Sequence, residues 1–519
     1  MKPSTLVLCL SALVACAFAA RAEVKLPPAI SDHMVLQRDA AAPIWGTAAP
    51  GEQVTVAFAG QTKTATADAK GKWMVKLDPL PVSAEPRTMT ITSSISHKPL
   101  TISDVLVGEV WLGSGQSNMD MHVPSYTNND PALARAAEAT YPKLRLLHKG
   151  RAGWEEATPA NIKQFSALLF AFGYQLQQKL DVPVGIMVGA VGGTPSGYWL
   201  TEEMLRSDAA CQAQAAEFAK TYDLAAAQQK YEKDLAAWKP VAEKAKQEKK
   251  RGPRGPTKPT KPGESAGRIG NLYQAHVQPY APYAIRGVLW DQGESGTAIT
   301  GVDQFNLMGA LIAGWRKEWG QDFPFLYVQK HSGGGTAWDL GDPVTKNASK
   351  FSPQLPREPG NIDGLYRELH LKIQQHPKTA MVTSTDLGSG THPTNKNGYG
   401  ARAVRVALGF VYGQPVEYSG PLYAAHKVEG GKIRISFTHV GQGLAARHSD
   451  KLQGFMVAGA DKKFRWAEAQ IEGDSVVVSC AAVPQPVAVR YAWSSNAPWA
   501  NLFNKDGLPA QTFRTDEWK

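Results

Sequence analysis

The chain has 519 residues, 43% of them hydrophobic and 20% charged, with a formal net charge of +10. That composition excludes a disordered or fibrous chain, and the length exceeds what a single core usually fills, so two or three domains are expected. A basic balance can mark a polyanionic partner, yet much of the excess lies between Lys244 and Lys261, which reads as a solvated, flexible excursion and implies no nucleic acid.

Lys2 precedes an apolar run from Leu6 to Ala20, and Ala20-Arg21-Ala22 offers small residues at a cleavage spacing. The pattern predicts a secretory signal over 1–22 and a periplasmic or secreted protein. Leu13-Val14-Ala15-Cys16 also resembles a bacterial lipoprotein box, which would leave a lipidated Cys16. No later apolar stretch is long enough to span a bilayer. Cys211 and Cys480 are too few for a disulfide scaffold and lack zinc-site spacing; whether they pair is open.

From 23 to 104, short alternating runs such as Val54, Val56, Phe58 and Trp73, Val75, Leu77 are separated by turn signals at Pro50-Gly51 and Lys70-Gly71. Period-two alternation predicts antiparallel strands. The same texture returns over 415–519, in Ile433, Ile435, Phe437 and Val487, Val489, Tyr491, so the two ends are expected to associate as one accessory β domain. Between them, over 105–414, strand and helix alternate: Glu109 to Gly113, a helix through Phe165 to Leu180, Val182 to Gly189, Ile285 to Trp290, Phe323 to Gln329 and Thr379 to Asp386. This rhythm predicts an α/β domain with a doubly wound parallel sheet flanked by helices. The segment 201–268 breaks it, as a helical insertion ending in the Pro-Lys-rich stretch.

Ligands of open α/β sheets sit outside the carboxyl ends of the strands. Four such ends carry polar clusters: Gly115-Gln116-Ser117-Asn118-Met119, Gly192-Gly193-Thr194-Pro195, Asp291-Gln292-Gly293-Glu294-Ser295, and Asp386 to Pro393. Gly113 and Gly115 allow a tight turn into a helix beginning near Asn118, presenting Ser117 at the sheet edge. Met119 stands where a Gly-x-Ser-x-Gly elbow needs its second glycine, which disfavours an ordinary α/β-hydrolase. His370 and His376 lie six apart and no paired Cys-x-x-Cys occurs, so no metal or cofactor is implied.

In order, these blocks resemble those of the SGNH esterases, specifically carbohydrate esterases of the sialate O-acetylesterase type, close to bacterial enzymes that deacetylate hemicelluloses. The likeness extends to Met34-Val35-Leu36-Gln37-Arg38 and Asn504-Lys505-Asp506-Gly507-Leu508-Pro509. It implies Ser117 as nucleophile and His392 as base, with the oxyanion held by the backbone of Ser117, by the Gly192-Gly193 loop, and by the Gln292 amide, and Asn118 beside them. The aspartate usual three residues before the histidine is Ser389 here; Asp386 is the nearest carboxylate to orient His392, with a backbone carbonyl, Asp291 or a bare dyad as alternatives. Glu294 is expected to support its loop by hydrogen bonds. The resemblance implies an acetylated oligosaccharide substrate from plant xyloglucan or xylan, with 9-O-acetyl sialic acid as the alternative. A sialate carboxylate would favour an arginine such as Arg367 or Arg402; a neutral glycan would favour Trp199 or Trp338.

Two other readings stay open on the residues alone. Asp291 or Glu294 with Asp386 could be the paired carboxylates of a glycoside hydrolase. Alternatively, Trp493, Trp499 and Phe503 could stack on sugar rings in a non-catalytic binding protein, although a β-domain core or a domain interface is the expected use. Asn347-Ala348-Ser349 has the form of a glycosylation sequon, to which the bacterial-type signal lends no meaning.

Overall fold

The computed structural model describes residues 23–95, 98–329, 339–348, 350–359, 364–388 and 390–518. The 1–22 signal, Cys16, Trp338, Ser349 and Ser389 therefore lie outside the described residues.

Six strands form the centre: β1 (Leu100–Gly115), β2 (Tyr141–His148), β3 (Val184–Ala190), β4 (Gly287–Asp291), β5 (Phe325–Val328) and β6 (Thr379–Val382). They lie in the order β6-β5-β4-β1-β3-β2, all parallel, and Glu155–Ala157 closes the far edge antiparallel to β2. Strands β3 to β6 are buried at every position, as expected where helices cover both faces. Alternate residues feed the two sides. On β4, Val288 and Trp290 join the core that contains Leu311 and Trp315 of α3 (Gln304–Trp319), whereas Leu289 joins that of α1 (Ala167–Leu180) and α5 (Lys396–Val406). Helix α1 is capped by Ser166, whose side chain accepts from Leu169 N–H, and α3 by Asp303, which accepts from Asn306 N–H.

Strand β1 does two jobs. Its first half pairs with Val35–Gln37 and with Ser83–Ser93, and its second half with β3 and β4. Asp104, at a left-handed φ of 54°, sits where the register with Ser83–Ser93 shifts, and the partners change between Gly108 and Glu109. Most N-terminal strands thus join the central sheet, Ala42–Thr47 and Lys72–Leu77 pair apart from it, and all share its core: Val54, Val56 and Trp73 belong to the same cluster as Val288 and Trp315. The C-terminal strands have a core of their own, built on Ile433, Phe455, Val478 and Tyr491. Among the described residues no strand of one end pairs with a strand of the other, which corrects the expectation of a single accessory β domain. Alternation locates strands, but strand partners depend on which end continues into the central sheet.

The insertion carries helices Glu202–Ser207, Ala209–Ala219 and α2 (Leu224–Gln247), the last with no buried residue. The Pro-Lys-rich stretch is solvated as expected, but it lies along α2: Trp238 Nε1 donates to the Pro253 carbonyl at 2.8 Å, and Gly255 packs on the same indole. Held by this hydrogen bond and this ring contact, the excursion is a defined arm.

Candidate active site

Parallel register sets the level of the site. Gly115 is paired with Ala190 on one side and Asp291 on the other, so three loops leave the sheet from one row. Gly115 has φ 127°, and a Cβ there would collide with the Asp291 carbonyl, so only glycine fits. Gln116 N–H donates to that same carbonyl at 2.9 Å, turning the chain into the short helix Ser117–Asp120. Gly113, read as a turn residue, instead makes room for Leu169 and Met119.

Ser117 Oγ lies 2.8 Å from His392 Nε2, with the histidine exposed on the loop after β6. Residues 275 positions apart thus form a hydroxyl–imidazole pair open to solvent. The residues around it fix the loops. Asn118 Nδ2 donates to Glu294 Oε1 at 3.1 Å and to the Thr391 carbonyl at 3.0 Å, tying the helix of Ser117 to the residue just before His392. Asn118 Oδ1 accepts from Lys396 Nζ at 2.7 Å; this buried ammonium lies over the rings of Tyr126 and Tyr399, at 4.7 and 5.1 Å. Glu294 also accepts from Gln116 Nε2, and Ser295 Oγ donates to Gln116 Oε1 at 2.9 Å. Glu294 therefore sits where a loop support belongs.

Three assigned roles change. Gln292 is buried, and its amide donates to the carbonyls of Thr194 and Gly296, both at 3.2 Å, while its oxygen accepts from Gln304. With both N–H groups occupied, Gln292 ties two loops together and is no oxyanion donor. Both N–H groups of Asn118 are likewise engaged. Asp386, expected to orient His392, is fully buried, and its two oxygens accept from Arg402 Nη1 and Nη2 at 3.1 and 2.7 Å. A bidentate pair inside the core satisfies a carboxylate more completely than a single imidazole. Asp291 is buried at the end of β4, and its carbonyl anchors Gln116.

Gly192 packs against Ser117, with its Cβ position 3.4 Å from Ser117 Cβ, but its N–H donates to Asp120 Oδ2 at 3.0 Å. Gly193, at φ 72°, follows it on the exposed turn. Asp120 was not singled out in the sequence, although it stands one helical turn after Ser117, a spacing that could have found it. Its other oxygen meets Lys149 Nζ at 2.6 Å, and that ammonium also donates to the Ala190 carbonyl. Lys149 follows β2 directly and carried no motif. Nearby, burial holds the imidazoles of His148 and His276 below the usual histidine range.

The remaining candidates lie elsewhere. Arg367 is buried and donates to the carbonyls of Ala492 and Ser494, and Arg402 is held by Asp386. Trp199 is buried, its indole N–H on Thr194 Oγ1 at 3.1 Å, and Trp493, Trp499 and Phe503 are buried too. His370 is buried beside Tyr366, whereas His376 stacks on Phe305. Among the described residues one group of potential metal ligands occurs, His33, Asp104 and Glu156, and the Arg145 guanidinium stands 2.8 Å from Asp104 within it. Cys211 and Cys480 are free thiols.

No protein-family model matches the chain. It is 26% identical to the sialate O-acetylesterase of Mus musculus and 27% identical to that of Homo sapiens, each over 514 residues, covering 90% of this chain and 88% and 87% of those proteins. The crystal structure of a carbohydrate acetylesterase from Xanthomonas citri is similar over 96% of this chain and 100% of its own, with 30% identity and a TM-score of 0.74. With its three loops level at one sheet edge and this likeness along nearly its whole length, the chain belongs to the family of carbohydrate acetylesterases of the sialate O-acetylesterase type.

Proposed function

We propose that Ser117 and His392 carry out carbohydrate O-acetyl ester hydrolysis in an SGNH-type site, through an acetyl-serine intermediate. The observation that carries this reading is the 2.8 Å contact between Ser117 Oγ and His392 Nε2 at the carboxyl end of the sheet. His392 takes the hydroxyl proton as Oγ attacks the acetyl carbonyl, then returns it to the departing sugar oxygen; a water repeats the sequence to release acetate. Charge on the tetrahedral oxygen is met by the N–H of Ser117, which as the first helical residue has no intrahelical acceptor, and by that of Gly193, since Gly192 is held by Asp120. One such donor is worth about 3 kcal/mol of barrier.

The substrate we infer is an acetylated plant hemicellulose, xyloglucan or xylan, and the signal-like first 22 residues support a periplasmic or secreted enzyme. The sequence blocks support the hemicellulose reading, and the likeness to the X. citri carbohydrate acetylesterase supports a carbohydrate ester. The named curated relatives favour 9-O-acetyl sialate as the second reading. Against it, Arg367 and Arg402 both hold core groups and neither is placed to meet a sialate carboxylate. The test is acetate release from acetylated xylan or xyloglucan oligosaccharides and from 9-O-acetyl sialic acid. Ser117→Ala and His392→Ala should each lower kcat by about a thousandfold or more while remaining folded. Sugar-bond cleavage that survives in Ser117→Ala would instead support a glycoside hydrolase.

A further inference from the structure

The arm formed by α2 and the Pro-Lys-rich stretch is rooted on a loop of the site. Gly263 N–H donates to the Thr300 carbonyl at 2.8 Å, Thr300 N–H donates to the Glu264 carbonyl at 2.9 Å, and the hydroxyls of Thr260 and Thr300 meet at 2.7 Å. Thr300 lies on the loop that leaves β4 with Gln292 and Glu294. The arm therefore springs from the edge of the sheet that presents Ser117.

Its charge is concentrated. Between Lys244 and Lys261 stand eight lysines and arginines against one acid, Glu248, which accounts for +7 of the chain's +10. All eight are exposed, and Lys250 alone has an ion-pair partner among the described residues. Prolines recur every third residue, at Pro253, Pro256, Pro259 and Pro262. Such spacing favours polyproline II, in which three residues complete a turn, so that the prolines would share one edge while Arg251 and Arg254, and then Lys258 and Lys261, would repeat along others, about 9 Å apart. A stiff backbone that already displays its cations loses little entropy when a linear polyanion lies along it. Lys244 to Lys261 contains no Leu, Ile, Phe or Trp that could wedge into a bilayer, so a lipid surface is the poorer fit.

We propose that this arm is a binding rail for the carboxylates of a uronic-acid-bearing polysaccharide, which makes an acidic acetylated xylan the preferred polymer; the inference rests on the esterase reading for its substrate side. The experiment compares wild type with the combined variant Lys249→Glu, Arg251→Glu, Arg254→Glu, Lys258→Glu on acetylated glucuronoxylan, acetylated xyloglucan and 4-nitrophenyl acetate, and by affinity electrophoresis in deacetylated glucuronoxylan. The variant should lose about tenfold or more in kcat/KM on glucuronoxylan at low salt and keep its rates on the two neutral substrates. Wild type should be retarded in the glucuronoxylan gel and the variant not, with the difference vanishing at about 0.5 M NaCl. Equal behaviour of the two proteins on glucuronoxylan overturns the proposal, as does an equal loss on xyloglucan. Arm-dependent pelleting with phosphatidylglycerol vesicles without retardation in the gel also overturns it. If wild type leaves 4-nitrophenyl acetate intact, the esterase reading fails instead, and electrophoresis still judges the arm.

Discussion

Replacing Asp120 by alanine tests how the Gly192–Gly193 turn is held against Ser117. Asp120 Oδ2 accepts from Gly192 N–H at 3.0 Å, and Lys149 at 2.6 Å holds the other oxygen, so the carboxylate is fixed from both sides. A hydrogen bond to a charged group is worth about 1.5–3 kcal/mol. Asp120 is 27% exposed, so the lower end applies. A loss of about 1.5 kcal/mol in transition-state stabilisation is roughly a tenfold fall in kcat. The assay is steady-state hydrolysis of 4-nitrophenyl acetate, an ester too small to use remote sugar contacts, with KM staying within about twofold of wild type. Asp120→Asn retains an acceptor and should recover most of the rate. An unchanged kcat in Asp120→Ala would refute the argument. A raised kcat would refute it differently, since the freed Gly192 N–H would then be the better oxyanion donor.

Asp386→Asn leaves the Arg402 guanidinium buried without its carboxylate and should lower unfolding free energy by about 3–5 kcal/mol, read from the urea midpoint. A variant of normal stability whose kcat falls more than about a hundredfold would return Asp386 to His392. Stability should also fall on acidification. Burial lowers the affinity of His148 and His276 for protons in the folded state, so the unfolded chain binds more protons once pH drops below the ordinary value of 6.5. The urea midpoint at pH 5.5 should lie below that at pH 7.5, and His148→Gln should narrow the gap; a midpoint that rises on acidification contradicts the assignment.

Local pattern made the strand ends legible, because an apolar run that stops at a cluster of glycine and polar residues looks the same in sequence as at the edge of a sheet. Ser117 and the Gly192-Gly193 turn were found that way, and His392 through the resemblance of its block. Partners were not legible. Asp386 lies six residues before His392 and sixteen before Arg402, and spacing along a loop cannot say which it meets; the turn of α5 that points Arg402 inward decides it. Gln292 has the right chemistry for an oxyanion donor, and only the positions of the Thr194 and Gly296 carbonyls show that both of its N–H groups are engaged. Lys149 and Asp120 are 29 residues apart, brought together by the register of β2, β3 and β1. The end segments show the same limit, since both read as strands and only β1 reveals which one joins the central sheet.

The commitments of these side chains follow one logic. Asn118, Gln116 and Gln292 each bridge two or more loops, so the amides that could have faced a substrate face other loops instead. In the mechanism we propose, what remains for the tetrahedral oxygen is backbone N–H, whose direction is fixed by the loop itself and needs no side-chain rotamer to be frozen during the reaction. Preorganised dipoles of this kind stabilise developing charge without reorganisation, provided that the loops do not drift. The cross-ties supply that condition: the helix of Ser117 is tied to Thr391 by Asn118, to the β4 loop by Glu294, and to the Gly192 turn by Asp120. A substitution at any of these ties acts on the reaction through geometry, and its effect should appear in kcat even though the residue never touches the ester.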